Sequence, residues 1–437
     1  MLVSSFYIKK LFDLYTYKID FTHYADNLCI LTGANGYGKT TVLKIINSLS
    51  TLDLFFFYTI SFEKIELVFS NSDKLEITHS SPSHGHEYDD DTVEYPDCVT
   101  FSYVNKNLNH RVLFDLNLED ITRLMPLSIR REIDFSFIEE GRIEVLKNYL
   151  TNHKEIYEEI AANKGNKDFL SLLNELRTVF IPAQRLYYTE QEREHNYTNY
   201  RRSHFVRKSS IDRMISDLKN ELQRKRLDYL LETQRHDNQF INKLLSSSSK
   251  GYDENIYNEK KDLLQERLDE LFSYGLIEKT PINPYMESKK EILSVYIDDL
   301  LEKIDSYNEL LKKIRLFSTI LEKKEFANKK ISFSPEHGLI ATSANGTEIN
   351  PNFLSSGEQN ELIMLYDFIF RVENGTILLI DEPEISLHVS WQLDVLHDIE
   401  SICNNKKIQV IVATHSPQII NEYWEACFDF YKNNNNE

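Results

Sequence analysis

"LTGANGYGKTT", residues 31–41, decides the fold. Gly33, Gly38, Lys39 and Thr40 satisfy the spacing Gly-x-x-x-x-Gly-Lys-[Ser/Thr], with a short apolar run, "LCILTG", leading in and a helix-forming run, "TVLKIINSL", leading out. Glycines there let backbone N–H groups wrap a polyphosphate. The Lys39 ammonium neutralises β- and γ-phosphate oxygens, and the Thr40 hydroxyl reaches Mg2+. The stretch predicts strand, phosphate loop and helix in an α/β sheet, with ATP and Mg2+ as ligands.

Two later strands complete that chemistry. In "TILLIDEPEISLH", residues 376–388, the apolar run Ile377 to Ile380 predicts a central strand with Asp381 at its C-terminal end, where open α/β sheets bind ligands. Asp381 is suited to hold Mg2+ through water. Glu382 is suited to act as the general base on the water that attacks the γ-phosphate. "VIVATHSPQII", residues 410–420, predicts a second buried strand ending at His415, which can contact the γ-phosphate or orient that water. A second anion site is expected at "NFLSSGEQNELIMLYDFIF", residues 352–370. Here a polar loop turns into an apolar helix at about Glu358, and free N–H groups and the helix dipole meet at its head.

The 437 residues suffice for two or three domains with a full core. The four cysteines, Cys29, Cys98, Cys403 and Cys427, show no metal-ligand spacing and suit a reducing cytoplasm. No run reaches the roughly 18 apolar residues of a membrane span, and "MLVSSFYIKK" lacks signal-peptide order. A cytoplasmic chain with no membrane partner is expected. Fifty basic against sixty-nine acidic side chains give a formal charge of −19, which opposes loose attraction to nucleic acid. The one local candidate is the basic, aromatic stretch Arg193 to Arg213, which reads as a solvated face on the helical insertion more readily than as a nucleic-acid patch. Asp89, Asp90 and Asp91 in "HEYDDDTVEYPD" read as an exposed acidic loop more readily than as a metal site.

The chain divides into residues 1–125, strands around one helix with a hairpin turning at Asn71 to Asp73; 126–328, mainly helical; 329–430, strands and short helices again; and a low-complexity tail, 431–437. The two strand-bearing ends are each incomplete, so they must pair into one sheet. In the middle, Ile297, Leu300, Ile304, Tyr307, Leu311 and Ile314 keep heptad spacing, and Ile211, Ile215, Leu218 and Leu222 keep it more briefly. A projecting helical hairpin and packing within the chain both satisfy that pattern. A helix of 35 to 40 residues would run about 50–60 Å.

The set of motifs resembles the ABC-type ATPases of the OLD, RecF and Rad50-like group. Asn35 and Gly36 give the loop its Asn-Gly interior, with Thr41 following, and "LSSGEQ" is similar to the signature motif. The resemblance implies an ABC-ATPase head, a mixed sheet with a P-loop plus an antiparallel β lobe, split by a long helical insertion. It makes Lys39 part of Walker A, Asp381 and Glu382 the Walker B pair, Ser386 to His388 the D-loop and His415 the switch histidine. Ser355, Gly357 and Glu358 become signature residues, and Gln184 in "FIPAQRLYY" a Q-loop ligand to Mg2+. Ser356 departs from the usual first glycine. In such heads the signature completes the nucleotide site of a second subunit, so a homodimer or a multiple of dimers is expected, closed by ATP. With no cysteine between Cys98 and Cys403, a zinc hook is excluded, and with 22 residues after His415 the nuclease domain of OLD proteins is not expected in this chain. Heads of this kind resemble the ATPase subunits of bacterial anti-phage systems. That implies a slow, regulatory ATPase controlling a separate nuclease effector, answering an acidic phage-encoded trigger with Arg193 to Arg213 as its site. A DNA-repair ATPase and an ATP-gated scaffold with little hydrolysis are the alternatives.

Overall fold

Alternation of apolar and polar residues in "KIELVF" and "KLEITH" buries one face of each segment, whereas "TILLID" and "QVIVA" are apolar between their ends and buried on both faces. Two kinds of sheet follow. The computed structural model describes residues 1–24, 27–79, 98–106, 110–135, 145–147, 149–150, 152–164, 166–193, 203–246, 251–279, 281–324, 326, 328–403 and 406–433. They form two compact units: residues 1–183 with 371–437, and residues 184–370.

In the first unit β1 (Val3–Leu11), β2 (Tyr15–Asp20), β4 (Lys64–Phe69), β5 (Lys74–His79), β6 (Cys98–Asn105) and β7 (His110–Asn117) make an antiparallel sheet ordered β2-β1-β4-β5-β6-β7. The hairpin between β4 and β5 turns through Ser72, at φ 68°. A parallel sheet follows the order β16-β3-β15-β14-β8, from β3 (Leu28–Thr32), β8 (Arg177–Ile181), β14 (Thr376–Asp381), β15 (Gln409–Ala413) and β16 (Cys427–Asp429). The N- and C-terminal segments thus build one sheet together, as their separate incompleteness requires. Gln409 ties the two sheets, accepting from the Val3 N–H at 3.0 Å and donating to the Val3 carbonyl at 2.8 Å. The helix Lys39–Ser50 buries Val42, Leu43, Ile45, Ile46 and Leu49 in the same core.

The boundaries expected at residues 125 and 328 shift. β8 falls within the stretch read as helical, yet it pairs in parallel with β14, so the first unit runs on to Ala183. A short apolar run looks alike in a buried strand and a helix, and only its partner strand settles which it is. Likewise residues 329–370, with the signature segment, belong to the second unit.

That unit holds a hairpin, β9 (Tyr187–Arg193) with β10 (Ser203–Ser209), and a sheet of β11 (Lys329–Ser334), β12 (Gly338–Ser343) and β13 (Glu348–Ile349). Its longest helix, Ser210–Ser246, has 37 residues and runs about 55 Å. The heptad stripes turn inward. Ile211, Leu218 and Leu222 are buried, as are Ile297, Ile304, Tyr307, Leu311 and Ile314 from the helices Lys290–Ile304 and Asn308–Lys323 and the turn between them. Ion pairs lace the long helix to Lys290–Ile304. Asp299 meets His236 at 2.9 Å, Lys243 at 3.1 Å and Lys303 at 2.9 Å, and Lys303 meets Asp237 at 2.7 Å. His236, Asp299 and Glu302 cluster closely enough to suggest a metal, but the Lys243 ammonium, 2.7 Å from Glu302, already neutralises them. Asp89 to Asp91 and the centre of the basic stretch, residues 194–202, lie outside the described residues. Among the described residues no helix is long and apolar enough to cross a membrane.

Candidate functional site

The phosphate loop leaves the end of β3 and enters its helix through Gly38, at φ 88°, where a Cβ would come within 2.5 Å of Leu11 Cδ2. Only glycine combines that left-handed backbone with so close a neighbour. Lys39 follows and is 5% exposed, its ammonium donating to the carbonyls of Gly33 at 2.8 Å and Ala34 at 3.0 Å. Burial pulls its pKa down, against the opposing pull of the Glu382, Asp381 and Glu384 carboxylates. The Thr40 hydroxyl donates to Asp381 Oδ1 at 2.8 Å, so residues 341 positions apart meet where Mg2+ would be held. Burial raises the pKa of Asp381, and the Thr40 hydrogen bond works the other way. A buried carboxyl beside a hydroxyl and an ammonium, with left-handed glycines behind them, fits a Mg2+-polyphosphate ligand.

β14 and β15 are in register through Asp381 and Ala413, so the turns that follow emerge side by side. Glu382 adopts φ 44°, the left-handed region that costs a non-glycine residue about 1–2 kcal/mol. Its N–H donates to the Ala413 carbonyl at 2.8 Å, pinning the turn, and its Oε1 stands 3.6 Å from His415 Nε2. The expected general base and switch histidine therefore face each other. Ser386, in the expected D-loop, is also left-handed at φ 63°.

Two groups escaped the sequence reading. Glu384 Oε1 accepts from the Thr414 hydroxyl at 2.8 Å and from the His415 N–H at 2.9 Å. Beside the loop, Tyr37 packs on Tyr15 at 5.2 Å and Tyr431 at 6.3 Å between ring centroids, an aromatic group able to take a nucleobase. The adjacent aromatics in the sequence were the available signal, but nothing local showed that three distant tyrosines converge.

In the second unit, Ser355 caps the helix Ser356–Tyr366 in a reciprocal capping box. Its N–H donates to Glu358 Oε2 at 2.9 Å and its hydroxyl to the same atom at 2.8 Å, while Lys329 donates to Glu358 Oε1 at 2.7 Å. Glu358 is buried, with one carboxylate oxygen engaged in the helix cap and the other by Lys329. Ser355 and Ser356 are exposed, and Gly357 is half-buried. Gln184 is exposed at the start of this unit. Of the basic stretch, Arg207 lies over the Tyr187 ring at 4.0 Å and Arg213 over the Tyr188 ring at 5.2 Å.

A glycine-lined loop and lysine at the mouth of a parallel sheet, with a carboxylate pair at the end of β14, one strand removed from β3 across β15, define a P-loop nucleotide-binding head. Residues 1–420 match the AAA ATPase domain family, and the chain belongs to it. The chain is 30% identical to the retron Vc95 probable ATPase of Vibrio cholerae serotype O1 biovar El Tor, over 31% of this chain and 30% of that protein. It is 29% identical to the retron Ec83 probable ATPase of Escherichia coli, over 31% and 28% respectively. The match thus spans less than a third of either relative's length. Among solved structures, the Smc head domain of Pyrococcus furiosus bound to the C-terminal domain of ScpA is similar at 15% identity, with a TM-score of 0.37 over 96% of this chain and 91% of that one. The SMC head domain of Thermotoga maritima gives 9%, 0.31, 98% and 92%. At those scores the likeness carries no weight beside the chain's own topology.

Proposed function

We propose that the chain binds ATP with Mg2+ and hydrolyses it slowly, as the ABC-type ATPase of a bacterial anti-phage system. The observation that carries the nucleotide reading is the 2.8 Å contact of Thr40 with Asp381, beside the buried Lys39 and the facing Glu382 and His415. Lys39 exchanges its own loop carbonyls for β- and γ-phosphate oxygens. Thr40 and Asp381 hold Mg2+, which when bound neutralises charge on the phosphates. Glu382 takes the proton of the attacking water, and His415 donates to the γ-phosphate. Ser355, Ser356 and Gly357, at the exposed head of their helix, serve the γ-phosphate of a second copy, so the working unit is a homodimer or a multiple of dimers.

The retron relatives favour the defence setting, and the motifs also resemble AriA, the ATPase of PARIS systems. By that analogy the assembly restrains a separately encoded Toprim-like nuclease until an acidic trigger binds, with Arg207 and Arg213 at the trigger site. A neighbouring nuclease gene is the expected genomic context. Lys39→Ala should abolish ATP binding measured by calorimetry. Glu382→Gln should bind ATP normally but lose turnover by about 100-fold or more and accumulate a larger species with ATP in light scattering. Undiminished turnover in Glu382→Gln refutes the base, and retained affinity in Lys39→Ala refutes the phosphate loop.

A further inference from the structure

His415 lies on a loop with no regular structure of its own, between β15 and the short helix Pro417–Ile420. A γ-phosphate contact requires that loop to be fixed to within a fraction of an ångström, and side chains do the fixing. Glu384 Oε1 takes the Thr414 hydroxyl at 2.8 Å and the His415 backbone N–H at 2.9 Å. Thr414, fully buried, accepts in turn from the Ser416 N–H at 3.0 Å. The Ser416 hydroxyl donates to Gln392 Oε1 at 3.0 Å. Gln392 closes the ring, its amide reaching the Glu384 carbonyl at 3.4 Å and the Leu387 carbonyl at 3.2 Å. The turn after β14 and the loop after β15 are thereby one hydrogen-bonded body, although they are separated by helix Val389–Cys403 in the chain.

Both donors go to one oxygen of Glu384. The other, Oε2, is buried and has no hydrogen-bond partner among the described residues. A carboxylate left half unsatisfied in a buried position costs free energy, and that cost is retained two residues from Glu382. We propose that Glu384 is a positioning residue for ATP hydrolysis, clamping the His415 loop to the Glu382 turn so that γ-phosphate contact and water activation keep a fixed separation. This rests on the reading that His415 serves the γ-phosphate. The clamp uses Oε1 as an acceptor and does not use the negative charge. A glutamine that keeps its carbonyl oxygen there preserves both bonds, whereas alanine removes both.

Steady-state ATPase kinetics with Mg2+ on the full chain separate the possibilities. Glu384→Ala should lower kcat about tenfold or more, with KM within about threefold, because Lys39 and the loop still bind the nucleotide. Glu384→Gln should recover kcat to within about threefold of wild type, unlike Glu382→Gln. Should Glu384→Ala fail to fold, Thr414→Val should lower kcat and Thr414→Ser should restore it. The proposal is overturned if Glu384→Gln falls as low as Glu382→Gln, which would make the charge the active feature, or if Glu384→Ala or Thr414→Val turns over like wild type. An inactive wild type would instead overturn the hydrolytic reading beneath it.

Discussion

Lys39 is the residue on which charge and burial are most opposed. Its ammonium is withdrawn from water onto two carbonyls, and desolvation lowers its pKa despite three carboxylates nearby. A bound polyphosphate supplies far more negative charge and raises that pKa again. Since the bound state then holds the proton more tightly than the free state, ATP binding should take up protons at alkaline pH, and affinity should fall as the pH climbs through the lowered Lys39 pKa. Calorimetric titrations of ATP in buffers of different ionisation enthalpy, at alkaline pH below the ordinary lysine range, would show the uptake; buffer-independent heats there would contradict it. The same residue scale explains what sequence could not show about Glu384. Glu382 and His415 are conspicuous as polar ends of apolar strands, whereas Glu384 acquires its role only when β14 and β15 pair and bring Thr414 within 2.8 Å.

At the scale of elements, the sequence shows locally encoded segments directly, and a short segment whose structure depends on a distant partner less so. The loop of Gly33 to Thr40, β3, β14, β15 and the helix beginning at Ser356 each announce themselves in fewer than twenty consecutive residues. β8 does not, because "RTVFI" becomes a strand only against β14. The heptads of the middle segment could not say whether they would face solvent or one another, and burial of Ile211, Leu222, Ile304 and Ile314 answers that. The signature helix shows the same division. Its serine and glutamate read as an anion site, but Glu358 turns inward to cap the helix, held by Lys329 from β11, nearly thirty residues upstream. Burial works to raise the Glu358 pKa, and the Lys329 and Ser355 hydrogen bonds overcome it and leave it lowered. A carboxyl with a lowered folded pKa stabilises the fold above the ordinary glutamate range, and that stability is lost as pH falls through the lowered value. Lys329→Ala should therefore reduce hydrogen-exchange protection of the Ser356–Tyr366 amides about tenfold or more at neutral pH, the deficit shrinking in acid. Unchanged protection at neutral pH would show that the cap stands without the lysine.

For the whole molecule the decisive matter is whether the phosphate loop of one copy works with the signature of another. The chain carries the phosphate loop in its first unit and, in its second, the helix headed by the signature-like segment Ser355 to Gly357. The net charge of −19 sets copies against each other at long range, so closure has to be driven by local contacts that the nucleotide completes. A mixing experiment isolates that dependence. Lys39→Ala destroys phosphate binding but leaves the signature intact. Ser356→Arg obstructs the signature but leaves the loop intact, and the exposure of Ser356, beside rather than within the Ser355–Glu358 capping box, lets the fold tolerate the larger side chain. Each variant alone should be inactive, because every composite site then contains a defect. In a mixed dimer both defects fall in one site, leaving the other whole, so an equal mixture of exchanging subunits should regain about a quarter of wild-type turnover. Two differently tagged wild-type pools, copurified after mixing, establish that subunits exchange. With exchange shown, a mixture as inactive as its components would mean that each chain serves its own nucleotide, and the sandwich arrangement would have to be abandoned even with ATP hydrolysis intact.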